Sequence, residues 1–210
     1  MDAITVGYAT DVEGNLNFWN RYINHSEILI RNEAGVLVLK DNCHFVYGGD
    51  SCDRGYGDLT ILRELITLKK TYPTRVHLLM GNRDINKLRF SVAVLPEVLK
   101  LEPKCYFASP AAIVDKNPDY KYNDHVSKVK WILLHTMGSP YAFEYRREEL
   151  RRAGCCSDDA AVAKSFVSMV AVHEKDGPGL MLQYLTLAQV VVVLGDVMFV
   201  HGALHDFNIG

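Results

Sequence analysis

The chain has 210 residues, 49% hydrophobic and 23% charged, with a formal net charge of −2. That length supports one domain with a sizeable core, and the charge balance lacks the basic excess of a nucleic-acid binder. The N-terminal MDAITVGYATD has no basic segment followed by an apolar run, so no secretory signal is expected. The most apolar window, Leu185 to Val200, is broken by Gly195-Asp196 and is too short for a membrane span. Five cysteines without framework spacing fit a reducing, cytoplasmic setting, with Cys155-Cys156 read as two ordinary loop thiols.

In chain order, Ile4 to Tyr8 predicts a short buried strand that ends just before Asp11. Leu16, Phe18, Trp19, Tyr22 and Ile23 then recur at helical spacing. Ile28 to Ile30 and Val36 to Leu39 flank Asn32-Glu33-Ala34-Gly35 and predict a hairpin. His44 to Tyr47 is a second buried strand, running into Gly48-Gly49-Asp50. A helix begins at Asp58 with Leu59, Ile61, Leu62, Leu65 and Leu68 on its apolar face, and Pro73 ends it. Val76 to Met80 is a third strand entering Gly81-Asn82, and Asp84 stands where a helix N-cap is expected. Strand, helix, strand, helix, strand calls for a mostly parallel sheet covered by helices.

The segment from Pro103 to Ser127 is polar and reads as a long excursion, part of a lid. Lys130 to Leu134 predicts a strand, and helices follow around Glu144 to Arg152 and Asp158 to His173. Arg146, Arg147, Arg151 and Arg152 read as a solvated helix face, with Glu148 and Glu149 offering local pairs. Val190 to Leu194, Gly195-Asp196 and Val197 to Val200 predict a hairpin with a two-residue turn.

The informative pattern lies at the strand ends. Three predicted strands run into loops that open with a hard oxygen ligand, Asp11, Asp50 or Asn82, and the last ends in the imidazole of His201. Ligands of open α/β sheets bind beyond the carboxyl ends of the strands, so these groups are expected to converge. Carboxylate, amide and imidazole together suit Zn, Mn or Fe. No phosphate loop of the P-loop or dinucleotide type occurs, which argues against a simple nucleotide-binding domain.

Four motifs stand in order: Asp11-Val12-Glu13-Gly14, Gly49-Asp50-Ser51-Cys52-Asp53-Arg54-Gly55, Gly81-Asn82-Arg83-Asp84 and Phe199-Val200-His201-Gly202-Ala203. In them the chain resembles the calcineurin-like metallophosphoesterases, nearest the branch of serine/threonine phosphoprotein phosphatases and diadenosine tetraphosphatases. The resemblance implies an α/β fold with a β-sheet core, a two-sheet sandwich flanked by helices. It implies one domain over residues 1–210 with a helical insertion at about 87–189, lacking its C-terminal part. It implies two divalent metal ions (Mn, Fe or Zn), with Asp11 and Glu13 on the first, Asp50 bridging, and Asn82 and His201 on the second. Arg54 corresponds to an arginine that grips phosphate oxygens, and its planar fork suits bidentate contact. Substrates so implied are a phosphorylated small molecule, a dinucleotide polyphosphate or a phosphoprotein.

Three departures stand out. Glu13 occupies the place of a metal-binding histidine. Arg83 replaces the general-acid histidine, and arginine has no proton to give at physiological pH; it can still stabilise charge on phosphoryl oxygens. Asp84, whose counterpart orients that histidine, is left to pair with Arg83 or to cap the following helix. The further histidine ligand of the family would fall beyond Gly210; His135 and His205 are candidate substitutes, but His135 reads first as a strand-end histidine with no metal role and His205 as a loop residue. The alternative expectation is a weakened or inactive phosphoesterase fold that binds a phosphorylated ligand or a protein partner.

Overall fold

The computed structural model describes residues 4–99 and 124–204. Strand β1 (Thr5–Ala9) leads to helix α1 (Leu16–His25), whose start is fixed by Asn15, its side chain accepting the Phe18 N–H at 3.0 Å. β2 (Leu29–Arg31) and β3 (Leu37–Leu39) form the expected hairpin, with Leu29 opposite Leu39. β4 (Cys43–Tyr47), α2 (Asp58–Thr71) and β5 (Val76–Leu78) follow. β1, β4 and β5 make a parallel sheet in that spatial order, as strands linked through helices on one face require.

Alternation along β4 divides the core. Phe45 and Tyr47 face α1 and α2 and join the main cluster with Trp19, Leu62, Leu65 and Tyr184. Val46, between them, faces the other way and packs with Leu79 and Val192. Val192 belongs to β8 (Val191–Leu194), which pairs antiparallel with β9 (Val197–Val200). This hairpin covers the second sheet face, with Phe199 against Tyr8 at 5.6 Å between ring centroids. Its approach is set by a parallel bridge between Leu79 and Gln189 beside β5. Among the described residues, the second layer of the expected sandwich is therefore this one hairpin.

After β5 the chain enters α3 (Asn82–Asn86), a 3₁₀ turn over Lys87–Arg89 and α4 (Phe90–Ala93). The lid expected from Pro103 lies largely outside the described residues. Four helices follow: α5 (His125–His135), α6 (Ala142–Arg152), α7 (Asp159–Ser168) and α8 (Leu180–Leu187). Between α7 and α8 lie the short strands β6 (Val172–His173) and β7 (Gly177–Pro178), so the α7 helix stops short of His173.

Two expectations are corrected here. Lys130 to Leu134 is not a strand but the middle of α5. Asp124 caps that helix through the Ser127 N–H at 3.0 Å, and Val129, Ile132 and Leu133 are buried at helical spacing. Arg146 is not on a solvated face. It is buried, donating from Nη2 to Asp58 Oδ2 at 2.9 Å and from Nη1 to Ser165 Oγ at 3.0 Å. Glu149 is buried too, and its carboxylate accepts the Leu59 and Thr60 N–H groups in the first turn of α2, where the helix dipole favours a negative group. Arg151 and Arg152 do form solvated pairs with Glu148 as expected, whereas Arg147 pairs with Glu144 and the expected partner Glu149 faces Arg146. Among the described residues no helix is long and apolar enough to cross a membrane.

Candidate metal centre

The loops after β1 and β4 run side by side, held by backbone hydrogen bonds from Asp11 N–H to Gly49 O, Glu13 N–H to Asp50 O and Arg54 N–H to Glu13 O. Their approach is close enough that a Cβ on Gly55 would lie 2.1 Å from the Gly14 carbonyl oxygen. Asp11, Glu13, Asp50 and Asp53 all adopt positive φ, between 50° and 104°. Non-glycine residues in that region cluster where surrounding structure over-determines them, commonly at ligand sites.

The third loop docks through Asp84. The residue is buried at the third position of α3, whose N-cap is Gly81, so Asp84 does not itself occupy the N-cap position. Oδ2 accepts the Asp50 N–H at 2.9 Å and the Gly81 N–H at 3.0 Å. Oδ1 accepts the Ser51 N–H at 2.9 Å and the Ser51 hydroxyl at 2.7 Å. Burial pushes its carboxyl upward, and the Ser51 and Gly81 hydrogen bonds oppose that. Asp84 thus clamps the Asp50 loop to the Asn82 loop, its carboxylate bonded to Asp50, Ser51 and Gly81 rather than to the Arg83 side chain.

Ligand atoms of Asp11, Asp50 and His201 all lie within 4.8 Å of one another. The His201 Nδ1 meets the Gly48 carbonyl at 2.8 Å, so in the neutral ring Nδ1 carries the proton and donates. Nε2 then presents a lone pair, 3.0 Å from Asn82 Oδ1 and 3.5 Å from Asp50 Oδ1. A lone pair facing two acceptor oxygens is a donor set that a cation satisfies. The structure thus brings together Asp11, Asp50 and His201, with Asn82 beside His201, and the donor types are ones that suit a cation.

Glu13 does not join them in the same way. Its Oε1 is ion-paired with Arg83 Nε at 2.7 Å and its Oε2 is 3.2 Å from Arg54 Nη1. Burial raises its carboxyl, with Arg83 and then Arg54 pulling it back. Arg83 Nη1 reaches Ser139 Oγ at 2.9 Å and the Met137 carbonyl at 3.3 Å, and lies 3.5 Å from Asp53 Oδ2. Asp53 Oδ2 also takes the buried Lys87 ammonium at 2.6 Å. Arg54 pairs with Glu13 on the neighbouring loop and leaves its side chain 60% exposed.

The site opens into a cleft of about 580 Å³ lined by Asp11, Glu13, Arg54, Phe18, Ser139 and Tyr141, among others. Lys87 and Ser139 escaped the sequence reading. Lys87 follows Arg83 by four residues and so shares its helical face, but nothing in the sequence places Ser139 there. His135 ends α5 with its ring against Trp131, 5.0 Å between centroids, and is not in the acidic-histidine group. His205 lies outside the described residues. Cys155 and Cys156 are exposed in the loop before α7, as expected.

Fold and site together define an α/β protein with two aspartates at the carboxyl ends of parallel strands, met by a histidine from the antiparallel hairpin packed on that sheet. No family model matches the chain. A stretch of 45 residues is 40% identical to the serine/threonine-protein phosphatase 6 catalytic subunit of Drosophila melanogaster, covering 21% of this chain and 15% of that protein. A solved serine/threonine phosphatase from Saccharomyces cerevisiae, described as similar to human phosphatase PP5, aligns with a TM-score of 0.31 and 17% identity. That alignment covers 39% of this chain and 22% of the yeast chain.

Proposed function

We propose that the chain is a cytoplasmic, metal-dependent phosphoesterase that hydrolyses a phosphoester or phosphoanhydride. Its substrate would be a phosphorylated small molecule, a dinucleotide polyphosphate or a phosphoprotein. The observation that carries this reading is the convergence of Asp11, Asp50 and His201 within 4.8 Å, beside Asn82, at the edge of an open cleft. Asp11, Asp50, Asn82 and His201 would hold a divalent ion of the Mn, Fe or Zn kind, which when bound polarises a phosphoryl oxygen and lowers the pKa of water.

The protein groups supply the rest. Arg54 stands at the cleft mouth, oriented by Glu13, with its remaining N–H groups free to take two phosphate oxygens. Phe18 and Tyr141, both exposed on the cleft wall, would contact the group that carries the phosphate. Asp84 is a positioning residue, fixing Asp50 through its backbone N–H. Arg83 can stabilise negative charge but gives no proton, so leaving groups of low basicity would react best.

Purified protein, given Mn²⁺, Fe²⁺, Zn²⁺ or Mg²⁺, should turn over an aryl phosphate, and Asp50→Asn should reduce turnover to background. A panel of phosphopeptides and dinucleotide polyphosphates would then sort the substrate class. Full turnover by Asp50→Asn, or none by the native protein with any of the four metals, would sink the reading.

A further inference from the structure

We propose that this centre holds one divalent cation, and that the Arg83 guanidinium, clamped by Glu13, fills the position of a second. The inference rests on the metal reading above and departs from the two ions that the motif resemblance implies.

A first ion in that scheme needs Asp11, the residue at position 13 and Asp50. Here both Glu13 oxygens face guanidinium groups, Arg83 Nε at 2.7 Å and Arg54 Nη1 at 3.2 Å. The same Arg83 Nε is 3.6 Å from Asp50 Oδ2, so it lies against two of the three groups an ion would require. Arg83 is held at its far end as well, by Ser139 Oγ at 2.9 Å and the Met137 carbonyl at 3.3 Å. Its side chain is only 13% exposed. A guanidinium in that position keeps its charge at any physiological pH and cannot swing into bulk water without leaving these partners.

Charge counting agrees. Asp11, Glu13, Asp50, Asp53 and Asp84 oppose Arg54, Arg83 and Lys87, which leaves two formal negative charges. One divalent ion neutralises them, whereas a second would add two positive charges beside a fixed cation. The Asn82 and His201 side offers no such obstacle, since its facing atoms are acceptors. Glu13 and Arg83, the two departures from the family motifs, are thus one linked substitution: a carboxylate that cancels a guanidinium where a neutral imidazole would have met a metal.

Chelator-stripped full-length protein would be titrated with Mn²⁺, with bound metal counted by elemental analysis and its environment read by electron paramagnetic resonance. The expected result is one Mn²⁺ per chain with the six-line spectrum of an isolated ion. Arg83→Ala leaves Glu13 facing only the exposed Arg54, which can turn to solvent, and should bind two, with an exchange-coupled spectrum. Glu13→Gln should keep the single ion, because Glu13 is not a ligand. Two coupled ions in the native protein would overturn this inference while leaving the metal-dependent reading intact, and no bound ion would overturn both. One ion in a folded Arg83→Ala, or none in a folded Glu13→Gln, would also overturn it. The native stoichiometry decides the ion count even where a variant fails to fold.

Discussion

The strand-end edge has two halves that share Asp50 but differ in how their charge is balanced. On one side Asp11, Asn82 and His201 present acceptor atoms to one another without a protein cation between them. On the other, Glu13 and Asp53 are matched by Arg83, Arg54 and Lys87 in a closed network. The first half is built to gain an ion from solution, and the second already contains its cations. A buried charge is tolerated when paired and is costly when its partner is removed, so the halves should respond to mutation in opposite ways.

The largest effect on stability should come from the closed half. Asp53→Asn leaves the fully buried Lys87 ammonium without its carboxylate. Urea unfolding of the metal-free protein should show a loss of about 3–5 kcal/mol. A loss below about 1 kcal/mol would mean that this half is not the rigid one.

Arg54 lies at the boundary, paired to Glu13 yet open to the cleft. Arg54→Ala should lower kcat/KM for an aryl phosphate by about 10²–10³-fold, the range for losing a donor to transition-state charge, with unfolding changed by under about 1 kcal/mol. An unchanged kcat/KM would assign Arg54 to the structural network instead.

For the open half, Asn82→Ala should leave metal-free stability within about 1 kcal/mol of native while weakening Mn²⁺ binding by about 10–100-fold. Calorimetric titration and urea unfolding of the same sample test both statements. If stability falls as far as in Asp53→Asn, the contrast between the halves is lost.

The smallest effect is expected away from the site, where His44 and His77 stack with 3.2 Å between ring nitrogens. Burial, aided by Lys69 and His44, holds the His77 imidazole down at about 4. A folded pKa below the usual 6.5 favours the neutral ring, so its contribution is intact above pH 6.5 and is lost as pH falls toward 4. His77 remains half open to solvent, which reduces the effect to about 1 kcal/mol. His77→Gln should therefore lessen the acid-induced fall in Tm by about 2–4 °C. An identical pH profile in the variant would remove the histidine pair from the account of acid stability.

Much of the fold was legible because its signals are local. The helical spacing of Leu16, Trp19 and Ile23, the helix end before Pro73 and the short apolar run from His44 to Tyr47 each mark an element within a few residues. The strand at Lys130 to Leu134 failed because five apolar-rich residues read alike in either period. The deciding cap at Asp124 lies six residues earlier. Arg146 failed for a different reason. Its exposed neighbours Arg147, Arg151 and Arg152 make the segment look solvated, and only the packing of α6 on α2 sets it against Asp58.

The gathering of three expected metal-type residues follows from chain order. Asp11, Asp50 and Asn82 come after β1, β4 and β5, whose ends a parallel sheet gathers along one edge, whereas His201 follows β9 of the separate antiparallel hairpin and reaches that edge only because the hairpin packs on the sheet. What the sequence left open was the meaning of Glu13 and Arg83, read one at a time as a changed ligand and a lost acid. They lie 70 positions apart, and pairing at that separation is a property of how loops dock, which no local pattern encodes. The tertiary structure decided it by clamping Asp50, Ser51 and Gly81 onto Asp84. That contact brings the Arg83 guanidinium within 2.7 Å of the Glu13 carboxylate.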